Sequence, residues 1–153
     1  MTKKEFIPNK EYKRILELMP ICCVDLIIYQ DNKILLIKRK DEPCKGEWWI
    51  PGGRILKNES VEGAVVRKAK EETGIDIEIV KLATYYEFFS ENSAFGKIEN
   101  KCHTISLVFL VKVKNKNQKV NLDKTSCDFK WVNPARNDLH PVLKKVLKEA
   151  NLT

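Results

Sequence analysis

Short apolar runs, rich in β-branched residues, dominate the chain and predict a protein built mainly on strands. The run ICCVDLIIYQ is followed by an Asp-Asn turn and by KILLIKRK, which is typical of a strand and its returning partner. Segment 90–102, between the predicted strands at 75–89 and 103–113, is polar and is predicted to be a loop. Strands are predicted over residues 21–30, 33–40, 75–89 (as one strand or two), 103–113 and 129–132.

Helical periodicity appears in three other segments. Residues 10–18 predict a short amphipathic helix ended by Pro20, and residues 141–152 predict a terminal helix with proline in its first turn. A central helix is expected over residues 60–73, with Gly74 as its stop. Helices at the start, middle and end of a strand-rich chain predict an α/β fold in which helices cover both faces of a mixed sheet.

The last turn of the central helix places a carboxylate where an apolar side chain is expected. On a helical wheel Val65 and Ala69 mark the apolar stripe, Glu72 falls inside that stripe, and Glu71 falls on its flank. Burying a carboxylate is costly unless another group satisfies it. Three kinds of partner remain open at this point: Lys68 one turn earlier, an arginine elsewhere, or a bound cation.

Two further local features make this stretch unusual. Adjacent carboxylates at the C-terminal end of a helix oppose the macrodipole, and sequences retain such unfavourable choices more often at functional sites. Ahead of the helix, Gly52 and Gly53 leave the backbone unusually free. The stretch therefore indicates either a helix closed by a salt bridge between Lys68 and Glu72, or a metal site that grips a diphosphate.

Composition narrows the class of protein. The 153 residues suit a single domain over residues 1–153. No apolar run reaches the roughly 18 residues of a membrane helix, and the charged first 14 residues do not resemble a secretory signal. Five irregularly spaced cysteines favour reduced thiols over a disulfide framework, so a cytoplasmic protein is expected.

The net charge of +7 raises the question of an anionic partner. The lysines are spread along the whole chain and never form a block of five basic residues, so the pattern does not favour a dedicated nucleic-acid surface. A small polyanion such as a nucleoside diphosphate derivative is the favoured partner. A nucleotide- or RNA-binding module with little catalysis remains the alternative from another functional class.

Residues 53–75 carry a motif of fixed spacing. Its residues are Gly53, Glu59, Arg67, Ala69, Glu71, Glu72, Gly74 and Ile75. This motif resembles the signature of the Nudix hydrolase superfamily, with one departure, because Lys68 stands where the family has the glutamate after its arginine. The resemblance implies a Nudix-type α/β/α sandwich with a mixed β-sheet and the Nudix loop-helix-loop.

This resemblance implies roles for particular residues. Glu71 and Glu72 would ligate Mg²⁺ or Mn²⁺ together with the backbone carbonyl of Gly52. Arg67 would pair with Glu59 and hold the loop against the helix. Such a cation would neutralise phosphate charge and activate the leaving group.

Lys68 and three flanking segments point to one branch of the superfamily. The lysine removes a carboxylate from the cluster, which weakens a multi-metal mechanism and leaves a single-metal one. Residues 19–39, 47–60 and 103–113 resemble GDP-mannose mannosyl hydrolases, which cleave at the anomeric carbon and release the sugar and GDP. Attack at the phosphorus of ADP-ribose or a (d)NTP is the alternative. The family often pairs subunits, so a homodimer stays open.

By position, Asp25, Arg39 and Arg54 match polar residues that this branch uses for substrate binding and leaving-group stabilisation. Guanidinium groups suit diphosphate oxygens because they pair with them bidentately. Trp48 and Trp49 are both able to stack on a base or sugar, although core packing is the expected role of at least one. Trp48 is the tryptophan predicted to bind substrate. The predicted catalytic residues are Arg39, Arg54, Arg67, Glu71 and Glu72.

The general base is the position at which the resemblance fails. Aligned on the short strand at 129–132, Thr125 and Ser126 occupy the places of the branch's glutamine ligand and histidine base. A serine hydroxyl is not a base near neutral pH without an activator of its own. The substitute bases left open by the sequence are Glu87, Glu91, Cys127 and Asp128.

Overall fold

The computed structural model describes residues 6–153, so the first five residues of the charged N-terminal segment lie outside the described part. None of the helices within that part combines the length and apolarity that a membrane crossing requires. In chain order the elements are α1 (Asn9–Leu18), β1 (Ile21–Gln30), β2 (Lys33–Arg39), β3 (Trp48–Trp49), β4 (Gly52–Arg54), α2 (Val61–Thr73), β5 (Ile77–Ser93), β6 (Gly96–Val113), β7 (Ser126–Val132) and α3 (Pro141–Glu149).

The strands form one mixed sheet with the order β3-β2-β1-β6-β5. Strand β4 also pairs with β1, and β7 also pairs with β2. The β1–β6 pair is parallel, whereas the pairs of β1 with β2 and of β5 with β6 are antiparallel. The predicted α/β fold with a mixed sheet is therefore confirmed.

Helices α2 and α3 pack on opposite faces of this sheet. Successive side chains of a strand point to opposite faces, so Leu26 of β1 packs in one core with Val65 of α2. Its neighbour Ile27 packs in the other core with Leu143 of α3. Strand β1 is therefore buried on both sides, and Asp25, two residues before Ile27, shares the face that α3 covers.

Helix α2 begins and ends where the sequence predicts. The hydroxyl of Ser60 accepts a hydrogen bond from the backbone N–H of Gly63 at 3.0 Å, which caps the first turn. Gly74 ends the helix in the left-handed conformation, with φ of 71°. These two caps fix where the helix begins and ends, and the core packing of Val65 and Ala69 sets the direction of its acidic last turn.

The prediction of a loop over residues 90–102 is wrong. Strand β5 continues to Ser93 and β6 begins at Gly96, so this segment forms the end of a long hairpin. Its side chains are mostly polar because much of the ribbon is exposed, and apolar alternation is therefore weak. Ile98 and Cys102 of this segment are buried in a cluster with residues of α1 and β1.

We expect Ile98→Ala to lower the free energy of unfolding by about 2–5 kcal/mol, because Ile98 is 2% exposed and its removal leaves a cavity in this cluster. Urea unfolding followed by circular dichroism measures the change. The exposed neighbour Glu99→Ala is the matched control and should stay within about 0.5 kcal/mol of wild type. Equal effects of the two changes would contradict the buried hairpin.

Candidate active site

The carboxylate of Glu72 points into the protein, as the wheel predicts, and the residue is only 6% exposed. Its Oε2 accepts a hydrogen bond from the backbone N–H of Gly52 at 3.0 Å. Its Oε1 lies 2.6 Å from the Nζ of Lys68. Burial raises the pKa of Glu72, while the Lys68 ammonium and the Gly52 N–H oppose that rise. Of the three partners left open by the sequence, the lysine contacts this carboxylate in the structure.

Glu71 lies at the edge of the same cluster. Its side chain is 34% exposed, and its Oε2 lies 3.0 Å from Arg67 Nη1 and 3.6 Å from Lys68 Nζ. The two acids therefore differ in setting, since Glu72 is buried against β4 whereas Glu71 faces partly outward.

Arg67 clamps the loop that follows β4 against helix α2. Its Nε and Nη2 donate to the two carboxylate oxygens of Glu59 at 2.6 and 2.8 Å. Nη2 also donates to the backbone carbonyl of Arg54 at 2.9 Å. The Arg67 hydrogen bond lowers the pKa of Glu59, so that acid stays ionised. The pairing is the one that the resemblance implies for these two residues.

Two glycines of β4 allow the cluster to close. A Cβ at Gly52 would overlap the Asp25 carboxylate, and a Cβ at Gly53 would lie 2.8 Å from the Cε of Lys68. Gly52 thus stands between two acids, Asp25 on one side and Glu72 on the other. No side chain fits at either position without displacing a charged group.

A cavity of about 250 Å³ opens on the other side of these glycines. It has both charges and aromatic rings in its wall, which suits a polar ligand that carries a ring system. Arg39 and Arg54 provide positive charge, and Asp25 and Glu42 provide carboxylates. The aromatic part of the wall consists of Tyr12, Trp49, Tyr86, Phe88 and Phe95.

Asp25 is held in this wall by a chain of hydrogen bonds. The hydroxyl of Tyr86 donates to Asp25, and Trp49 Nε1 donates to the Tyr86 oxygen at 3.2 Å. Ser106 also hydrogen-bonds to the carboxylate. Burial raises the pKa of Asp25 to about 6, so both of its protonation states are accessible near neutral pH. Burial and the neighbouring Asp25 raise the pKa of Tyr86, which keeps it a donor.

The two arginines of the cavity are positioned from different elements. Arg39, at the end of β2, donates its Nε to the Pro43 carbonyl at 2.7 Å. Arg54, at the end of β4, places its guanidinium 5.0 Å from the ring centroid of Tyr12 in α1. The cavity therefore brings together Asp25, Arg39 and Arg54, three of the four residues that the sequence predicts for substrate binding, but not Trp48.

Trp48, which the sequence also predicts to bind substrate, lies outside the cavity. Trp48 has the ammonium groups of Lys130 and Lys38 at 4.0 and 5.9 Å from its ring centroid and is not part of the cavity wall. Its neighbour Trp49 points the opposite way and lines the cavity. A two-residue strand carries too little pattern for the sequence to decide which tryptophan faces which side.

None of the substitute bases considered from the sequence lines the cavity. Glu87 pairs with His103 at 3.0 Å on the opposite face of β5, and Cys127 donates to the Lys38 carbonyl at 3.7 Å. Ser126 is buried, and its hydroxyl has no hydrogen-bond partner among the described residues. Glu42 is not predicted from the sequence, because it lies in the loop between β2 and β3, which has no helix or strand pattern.

The fold and this geometry together invite comparison with known proteins. A family model described as NUDIX domain matches residues 20–150. The chain belongs to the Nudix family. Among its relatives, the low-salt glycan biosynthesis protein Agl8 of Haloferax volcanii is 33% identical over 141 residues, 92% of this chain and 88% of that protein. An ADP-ribose pyrophosphatase of Methanocaldococcus jannaschii is 39% identical over 127 residues, 82% and 71% of the two chains.

Solved structures agree on the Nudix fold. The crystal structure of a MutT NUDIX hydrolase from Burkholderia pseudomallei superposes with a TM-score of 0.70 and 26% identity, covering 86% of this chain and 98% of that one. The NUDIX domain of Shewanella oneidensis NrtR, complexed with ADP ribose, gives a TM-score of 0.62 at 23% identity, covering 95% and 97%. At the latter identity the likeness establishes the fold alone.

The acidic end of the Nudix helix can be tested for its fit to a divalent cation. No group of three or more His, Cys, Asp or Glu side chains within residues 6–153 is arranged to hold a metal. Mg²⁺, however, commonly takes only one or two carboxylates and completes its shell with water and substrate phosphates. The Lys68 ammonium, 2.6 Å from Glu72, already marks a cation position beside these oxygens. The donor set of Glu71 and Glu72 therefore fits one such ion in exchange for Lys68.

We expect Asp25→Asn to change the pH dependence of stability. A carboxyl whose pKa rises from 3.8 unfolded to about 6 folded stabilises the folded state fully below the unfolded value. That contribution is lost as the pH rises through the folded value. The free energy of unfolding of wild type, minus that of the variant, should therefore fall by about 2 kcal/mol between about pH 4 and pH 7.

Urea unfolding of both proteins across this range measures the difference. Asp138→Asn is the control, because Arg136 lowers the pKa of that exposed carboxyl to about 2. The difference in the free energy of unfolding between wild type and Asp138→Asn should vary only below about pH 4. A flat curve for Asp25→Asn between about pH 4 and 7 would show that the buried carboxyl does not titrate as described.

Proposed function

We propose that this Nudix protein hydrolyses a nucleoside diphosphate linked to another moiety, most readily a nucleotide sugar such as GDP-mannose, in a Mg²⁺- or Mn²⁺-dependent reaction. One observation carries the proposal. The β4 glycines join a cavity that contains Arg39 and Arg54 to the acidic end of the Nudix helix. A diphosphate that lies across this junction would meet guanidinium groups on one side and the cation position on the other.

Substrate binding follows from the cavity wall. Arg39 and Arg54 would pair with diphosphate oxygens, since guanidinium offers parallel N–H donors. Trp49 and Phe88 present aromatic surface for a base or sugar ring. Asp25 would accept a hydrogen bond from a hydroxyl of the substrate. These contacts would set the reacting bond next to β4.

The cation would be held by Glu71 and Glu72, with the Gly52 carbonyl as a third oxygen. When bound, such an ion neutralises the diphosphate and makes it a better leaving group. The chain's own residues then orient the two ends of the substrate. Arg67 contributes indirectly, because it fixes Glu71 and the loop at Arg54.

In the favoured reaction, the oxygen of a water molecule forms a bond to the anomeric carbon of the sugar. The bond between that carbon and the diphosphate oxygen breaks, and its electron pair leaves with GDP. The proton of the water passes to Asp25 or Glu42, the two acids of the cavity wall. Support for a sugar nucleotide comes from Lys68, which reduces the carboxylate cluster, and from the glycan biosynthesis protein among the relatives.

Attack at phosphorus is the second candidate, and one observation favours it. The relative with 39% identity over 127 residues is an ADP-ribose pyrophosphatase. In that reaction the same cavity would hold ADP-ribose, and water would attack a phosphorus atom and release a nucleoside monophosphate.

Product identification separates the two reactions. With GDP-mannose and Mg²⁺, we expect free mannose and GDP, measured by anion-exchange chromatography and a mannose assay. GMP with mannose 1-phosphate, or AMP with ribose 5-phosphate from ADP-ribose, would establish attack at phosphorus instead. If no nucleotide sugar, dinucleotide or (d)NTP is turned over with Mg²⁺ or Mn²⁺, the proposal of an enzyme fails and a binding module remains.

We expect Glu72→Gln to lower kcat/KM roughly 100-fold or more, and Glu71→Gln to lower it by roughly tenfold or less. Glu72 is buried beside β4, whereas Glu71 is partly exposed and shares Arg67 with Glu59. Steady-state rates of the two variants give the comparison, and urea unfolding checks that both are folded. Equal losses would contradict the inward orientation as the source of the effect.

A further inference from the structure

Lys68 occupies an unusual place for a lysine. Its side chain is 13% exposed, and its ammonium lies 2.6 Å from Glu72 Oε1 and 3.6 Å from Glu71 Oε2. It therefore stands at the position where the Nudix helix presents its two acids. Lys70, two residues along the same helix, has a surface position instead, 57% exposed and 3.0 Å from Asp76.

The route of the Lys68 side chain is fixed by β4. Its Cε passes so close to Gly53 that a Cβ there would lie 2.8 Å away. The absence of a side chain at Gly53 thus lets the lysine reach the buried carboxylate. The same glycine lies in the cavity wall, whereas Lys68 does not, so Gly53 stands between the ammonium and the cavity.

We propose that Lys68 is a displaceable internal counter-ion. In the free protein its ammonium neutralises Glu72. When a divalent ion takes that position, the ammonium moves to the oxygens of the diphosphate. The inference rests on the proposed function, since it requires a diphosphate ligand at this junction. It makes the binding of metal and nucleotide mutually dependent.

The binding of metal and the binding of nucleotide depend on each other because the divalent ion and the Lys68 ammonium repel each other. A divalent ion and an ammonium cannot both lie against one carboxylate oxygen without strong repulsion. Metal binding alone must therefore push Lys68 away from its partner and leave it uncompensated. A diphosphate offers the displaced ammonium new oxygens, so each ligand promotes the binding of the other, and the coupling is reciprocal.

Mn²⁺ binding measured by electron paramagnetic resonance tests the inference without any turnover. We expect wild type to bind Mn²⁺ weakly alone and about 5- to 150-fold more tightly in the presence of GDP, the usual range of such coupling. Titrations of Mn²⁺ with GDP in the absence of protein correct for the Mn²⁺–GDP complex that forms in solution. If wild type binds Mn²⁺ equally tightly with and without GDP, the inference is overturned, even if no variant folds.

Lys68→Met should bind Mn²⁺ alone more tightly than wild type, by a similar factor, and should lose most of the GDP effect. Lys68→Arg keeps the charge and should keep the coupling. Lys70→Met is the matched control from the same helix and should match wild type in both titrations. If Lys68→Met binds Mn²⁺ as weakly as wild type, the lysine has only a structural role.

These outcomes differ from those that test the proposed function. A protein that releases GDP from GDP-mannose but shows no coupling retains the function and excludes this role of Lys68. Coupling between Mn²⁺ and GDP that is lost in Lys68→Met, in a protein without turnover, supports Lys68 as the counter-ion and removes the enzymatic proposal.

Discussion

A buried carboxylate at Glu72 is the constraint on which the rest of this site depends. Water cannot reach it well enough to satisfy it, so the protein must supply partners for both oxygens. The backbone of Gly52 supplies one and Lys68 the other. The first contact brings β4 against helix α2, and the second joins two successive turns of α2 itself. The apolar side chains Val65 and Ala69 turn this face of the helix toward the sheet.

The site has two parts with different physical character. The end of α2 is a compact cluster of charges, whereas the cavity is a wider space with aromatic walls. Arg54 connects them, because its backbone carbonyl accepts from Arg67 while its guanidinium lies over Tyr12 in the cavity wall. A shift of the clamp between helix and loop would therefore also move the Arg54 guanidinium in the cavity wall. The charged end of α2 and the cavity are mechanically linked through this residue and through Gly52.

Local signals account for what the sequence could predict. Caps and periodicity define the helix over residues 60–73, and they give the inward direction of its last acid. The sequence could not choose between Lys68 and a cation, because spacing permits both. It also could not find the partners of Asp25: Tyr86 and Ser106 reach it only through the pairing of β5 with β6 and of β6 with β1. The polar end of that hairpin, residues 90–102, carries too little apolar alternation to be distinguished from a loop.

The hairpin of β5 and β6 extends past the main sheet and forms one side of the cavity through residues 93–95 and Cys102. Its tip is braced by α1, where the rings of Tyr12 and Phe95 meet edge to face at 5.2 Å. None of these residues contributes to the charged end of α2. Insertions or deletions in this arm could therefore widen or narrow the range of accepted ligands during evolution, while the hydrolytic apparatus is inherited unaltered.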